Sequence, residues 1–71
     1  MVPGRERELA FAWLFLARAG ANFAEGRLRE ALADCFSAES YARTSGDSEA
    51  FSAARRLEAV LSARGGGRGE S

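Results

Sequence analysis

The segment Leu9–Ala17, LAFAWLFLA, constrains this chain more than any other: nine consecutive apolar residues, three of them aromatic, in a polypeptide of 71. A helix resting on a core carries one apolar stripe and one wet face. This run has no wet face. A bilayer-spanning helix needs about 20 apolar residues, and here Arg5-Glu6-Arg7-Glu8 precedes the run and Arg18 follows it. A secretory leader opens with a basic segment. Glu6 and Glu8 leave this opening nearly neutral, although Ala17-Arg18-Ala19 has the form of a cleavage site. An interfacial helix sets a strongly basic face against its apolar one, and the alternating charges supply none. No membrane partner is expected, and the run reads as a helix covered by protein on two sides.

At 100° per residue, Leu9, Ala12, Trp13, Leu16, Ala19, Gly20 and Phe23 form one stripe, while Phe11, Leu14 and Phe15 lie on the other side near Arg7, Arg18 and Asn22. Gly26 and Gly46 are each suited to the left-handed residue that ends a helix. Between them Leu28, Ala31, Leu32, Cys35, Phe36, Ala38 and Ala42 recur at helical spacing, opposite Arg29, Glu30, Asp34, Ser37 and Tyr41. Asp47 is a good N-cap for a third stripe formed by Ala50, Ala54, Leu57 and Leu61, with Phe51 and Val60 at its edges. The pattern predicts an all-α domain over residues 1–63, with three antiparallel helices at about 5–24, 27–44 and 48–63. Residues 64–71, RGGGRGES, hold no apolar residue and read as a disordered tail. Glu25 with Arg29 and Glu39 with Arg43 are acid-before-base pairs at helical spacing.

A chain of this size buries only about 60% of its unfolded surface, and small scaffolds usually need a staple. One cysteine, Cys35, forbids an internal disulfide, and the absence of histidine leaves no ordinary zinc site. Association with another chain is the staple that remains. All ten basic residues are arginine and ten acids balance them, which argues against a protein built to hold the phosphate backbone.

The segment from Leu16 to Leu57 resembles a tetratricopeptide repeat, in the longer variety found in bacterial regulatory and adaptor proteins. The resemblance rests on Ala19 and Phe23 ahead of the turn glycine Gly26, on Ala31, and on the run Ala42-Arg43-Thr44-Ser45-Gly46-Asp47 leading into the next helix. It implies a helical hairpin plus a third, capping helix, working by protein–protein contact. The first helix is longer and more aromatic than a repeat's first helix, and no second copy follows. Repeat units do not hide their faces alone, so the resemblance also implies association.

No catalytic residue, metal ligand or cofactor site is expected. Cys35 sits on an apolar face without a neighbouring base, whereas a reactive thiol needs an electropositive, accessible setting. Glu30 and Asp34 read as solvated surface. Glu39 projects near the middle of an apolar stripe and calls for an arginine partner. The alternative function is a small DNA-binding helix-turn-helix regulator, suggested by the Ala42 to Gly46 spacing and by Arg55 and Arg56 on the following helix. Ser45, Ser52 and Arg55 fall where that motif needs packed apolar residues, and the neutral charge disfavours nucleic acid as a partner.

The expected function is therefore a cytoplasmic interaction module, an adaptor or an assembly subunit, that forms a homo-oligomer or docks another protein. Phe11, Leu14 and Phe15 are the expected contact patch, with Arg7, Arg18 and Asn22 as its polar rim. Trp13, Leu16, Phe23, Leu32, Phe36, Leu57 and Leu61 are the expected core.

Overall fold

The structure, a computed structural model, describes the backbone of residues 3–69 and the side chains of residues 6–64. It is all-α: α1 is Pro3–Ala24, α2 is Leu28–Ser45 and α3 is Ser48–Gly69. Both connections close by the same hydrogen-bond pattern. Gly26 takes φ 82° and Gly46 φ 75°, the left-handed region that glycine enters without a Cβ penalty. The Arg27 N–H then donates to the Asn22 carbonyl at 2.8 Å and the Gly26 N–H to the Phe23 carbonyl at 3.0 Å. At the second turn the Asp47 N–H donates to Ala42 at 3.2 Å and the Gly46 N–H to Arg43 at 3.1 Å. These are Schellman closures, which satisfy the last free carbonyls of each helix. Asp47 also opens α3, its Oδ1 accepting the Ala50 N–H at 2.9 Å. With such short links, consecutive helices pack as antiparallel neighbours.

α2 lies between α1 and α3, which touch each other only lightly, and the molecule is a slab of 50 × 20 × 13 Å. Alanine makes the core. At one end Ala12, Ala42 and Ala50 meet, with Leu9, Tyr41 and Phe51 packed around them. At the other end Ala19, Ala31, Cys35 and Leu61 meet, flanked by Phe23, Leu28, Leu32 and Leu57. Leu61 and Cys35 are the largest fully buried side chains. Small side chains at crossing points let helix axes come close, but each contributes little burial energy, roughly 0.8 kcal/mol per buried methylene-sized group.

Several expectations are corrected here. Trp13 and Phe36, expected inside, are 43% and 54% exposed, because a core of alanine spacing has no room for an indole or a second phenyl ring. Asp34, expected in solvent, is buried at 7% exposure, and Tyr41 turns from the polar face of α2 toward α1. Leu16, Phe23, Leu32 and Leu57 are half-buried. The stretch from residue 64, expected as a tail, is helical backbone as far as Gly69. Gly26 and Gly46 end their helices by turning left-handed. Glu70 and Ser71 lie outside the described residues.

Candidate functional site: the outward face of α1

Of the residues from Ala10 to Ala21, Ala10, Phe11, Trp13, Leu14, Ala17, Arg18, Gly20 and Ala21 are exposed. Arg18 is the only polar one among them. The large members are 37% (Phe11), 43% (Trp13) and 51% (Leu14) exposed. Ala10, Leu14, Ala17, Ala21 and Ala24 follow one another at steps of four, three, four and three residues, and all are exposed. That alternation is the 3.5-residue period of a seam on which another helix packs. Trp13 borders the seam on one side and Phe11 on the other.

Two residues of the expected rim, Arg18 and Asn22, belong to an inter-helix network. Asn22 Nδ2 donates to Asp34 Oδ2 at 2.8 Å, and the Arg18 guanidinium stands 3.9 Å from Asp34 Oδ1 and 5.3 Å from the centre of the Phe15 ring. Asp34 thus takes up both polar side chains that α1 turns toward α2. Phe15 is half-buried beneath Tyr41, its ring stacked at a centroid distance of 5.5 Å. Of the expected patch, Phe11 and Leu14 are on the surface, Phe15 is packed against α2, Asn22 is bonded inward, and Arg7 is exposed at the N-terminal end. Trp13 joins the patch from the expected core. Its position 100° beyond Leu14 on the wheel was visible in the sequence, and the run of alanines facing it was the sign that no ring would fit inside.

A second cluster lies between α2 and α3. Arg55 Nε stands 3.8 Å from Glu39 Oε2 and 3.9 Å from Glu58 Oε1. Glu39 Oε2 is buried without a hydrogen-bond partner. The Glu39 carboxyl is held above its ordinary range by hydrogen bonding with Glu58, then by burial and by the Glu58 charge, with Arg55 and Arg43 opposing. The arginine partner expected for Glu39 therefore comes from α3, while Arg43 lies over the Phe51 ring. Glu25 likewise meets Arg27, at 3.5 Å, in place of the expected Arg29.

Burial, then the charges of Glu58, Glu39 and Asp34, push the Cys35 thiol up to about 11. Among the described residues no three histidine, cysteine, aspartate or glutamate side chains gather as a metal site would require, and no helix is long and apolar enough to cross a membrane. A shallow groove of about 300 Å³ at the α2–α3 turn is lined by Ala42, Arg43, Gly46, Asp47, Ser48 and Phe51. Asp47 already caps the α3 N-terminus there, which removes the positive end that an anion would seek. Compared with known proteins, the chain matches no family model, no curated protein and no solved structure.

Proposed function

We propose that this chain is a protein–protein interaction module, an adaptor or assembly subunit, that receives a helix of a partner or of a second copy on the outward face of α1. One observation carries the reading: the fold encloses alanine and leaves Trp13, Leu14 and Phe11 outside. Tryptophan and other aromatics on an exposed apolar strip are the usual anchors of interfaces. The four-three spacing of Ala10, Leu14, Ala17 and Ala21 favours a helix as the occupant.

The tetratricopeptide-like reading belongs to the same proposal. It is supported by two successive hairpins closed by Gly26 and Gly46, with small residues where the helices cross. The mode of action is contact, without chemistry. Of the two arginines a DNA-reading helix would offer, Arg55 is turned toward Glu39 and Glu58, which leaves Arg56 alone on the exposed side of α3. A cytoplasmic setting is part of this proposal, and the single Cys35 forms no internal disulfide that would call for an oxidising compartment.

Leu14→Glu is the test, because the side chain is half outside and its replacement leaves the helical hairpin intact. Light scattering over a wide concentration range should show an assembly for the wild-type chain and a monomer for Leu14→Glu, with equal helicity by circular dichroism. If the wild-type chain is a monomer, a helical partner captured by it should be lost with Leu14→Glu. A wild-type monomer that captures nothing the variant loses would overturn the proposal.

A further inference from the structure

The Glu39–Glu58–Arg55 cluster is unrelated to the α1 face and joins the two helices that α1 does not bridge. Glu39 projects from α2, and Glu58 and Arg55 project from α3. One guanidinium nitrogen, Arg55 Nε, stands between two carboxylates at 3.8 and 3.9 Å, farther than a hydrogen bond from either. The Glu39 side chain is 14% exposed and that of Glu58 27%. Two ionised carboxylates sharing a site repel, and a low-dielectric setting amplifies that repulsion. The buried Glu39 Oε2, without a hydrogen-bond partner, is the atom on which the conflict falls.

We propose that Glu39 and Glu58 hold a single proton between them across the α2–α3 interface, and that its release to water loosens α3 from the α1–α2 hairpin. With the proton in place, one carboxyl donates to the other, and the cluster's net charge with Arg55 is zero. Without it, two carboxylates face one cation, and the cluster carries a net negative charge beside the apolar layer of Cys35 and Leu61.

The neighbouring charges do not cancel this. From α3 the facing groups are Glu58 and Arg55. From α2 they are Arg43, which is shared with the Phe51 ring, and the Cys35 thiol one turn before Glu39. The charged pair between α1 and α2, Arg18 with Asp34, lies about 140° around α2 from Glu39. The raised Glu39 carboxyl agrees in direction with the shared proton. The folded state then binds more protons than the unfolded chain above the ordinary value of 4.5, so stability falls as pH rises through the window that begins there.

The experiment is hydrogen exchange on the full chain at a series of pH values, read as protection factors so that intrinsic exchange chemistry drops out. In the wild-type chain, protection of the α3 amides from Phe51 to Leu61 should fall with rising pH relative to that of Ala12 to Ala19. In Glu39→Gln the fall should be absent, and the variant should be better protected than wild type at neutral pH. Glu58→Gln, on the more exposed partner, should give the same loss of pH dependence and serves where Glu39→Gln fails to fold. If instead the variants are less protected than wild type at neutral pH, Arg55 holds two ionised carboxylates and the proposal is overturned. An equal pH dependence in wild type and both variants would also overturn it.

Discussion

The ring of Tyr41 lies parallel to that of Phe15, at 8° and 5.5 Å between centroids, while Phe11 meets it from the preceding turn of α1 at 5.2 Å and 44°. A residue on the polar side of α2 thus fastens two aromatics of α1. Aromatic pairs contribute about 0.5–1.5 kcal/mol beyond their area burial, and Tyr41 makes two of them. Tyr41→Ala should therefore destabilise the fold by roughly 2–3 kcal/mol. Tyr41→Phe, which keeps the ring, should stay within about 0.5 kcal/mol of wild type. Urea unfolding followed by circular dichroism checks both, and a neutral Tyr41→Ala would detach Phe15 from the core.

The Asn22–Asp34 bond gives a second prediction. Asp34 is buried and accepts from Asn22 at 2.8 Å, with Arg18 farther off at 3.9 Å. Hydrogen bonds to charged groups contribute about 1.5–3 kcal/mol, so Asn22→Ala should lower the unfolding free energy by roughly that amount. Arg18 is 57% exposed in its side chain, and an ion pair of that kind contributes about 0–1 kcal/mol. Arg18→Ala should accordingly have the smaller effect in the same urea titration. The reverse order would make the longer contact the important one.

The turn between α2 and α3 supplies a third. Asp47 Oδ1 caps α3 through the Ala50 N–H, and Gly46 beside it sits at φ 75°. Asp47→Ala should cost about 1 kcal/mol, the ordinary value for an N-cap. Gly46→Ala meets no atom within 4 Å, so its penalty is backbone strain alone, about 1 kcal/mol for a left-handed residue. The two sites share one turn, and the double variant need not be additive. Thermal midpoints of the two single variants are the measurement, and a Gly46→Ala as stable as wild type would mean that the turn has relaxed out of its left-handed form.

What was legible in the sequence follows from how local each signal is. Gly26, Gly46 and Asp47 announce helix ends because the left-handed conformation and the cap depend on one residue and its nearest neighbours. The alanine stripes of α2 and α3 announce buried faces because helical periodicity is also local. The fate of Trp13 and Phe36 was not local. Each lies at the edge of its apolar stripe, and whether that edge is covered depends on how closely α1, α2 and α3 approach. Asp34 was missed for a related reason. A carboxylate among Arg29, Glu30 and Ser37 looks like solvent-facing surface until Asn22 and Arg18, one turn apart on α1, are seen to converge on it. Glu39 was legible as an anomaly, since a charge inside an apolar stripe demands a partner, but its second carboxylate came from a helix that the stripe alone could not place.

Cys35 supplies the last prediction. The thiol is fully buried among Ala19, Ala31 and Leu61, and burial, then the charges of Glu58, Glu39 and Asp34, raise it from 9.0 to about 11. A group whose folded value is raised keeps its proton longer in the native state. From about 9 to about 11 the native chain holds more protons than the unfolded one, and stability declines as pH rises through that window. At neutral pH the thiol is protonated in both states and contributes no slope. Cys35→Ala should remove the part of the alkaline decline that belongs to the thiol, while lowering stability at neutral pH through the lost sulfur packing by about 1 kcal/mol. Urea midpoints of wild type and Cys35→Ala should therefore draw together as pH rises from about 8 and cross before about pH 10.5. The native thiol should also resist a maleimide at neutral pH until urea opens the fold, because reaction needs both thiolate and access. Rapid labelling without denaturant would show that Leu61 and Ala31 do not seal the site, and parallel urea curves would remove the raised thiol from the account.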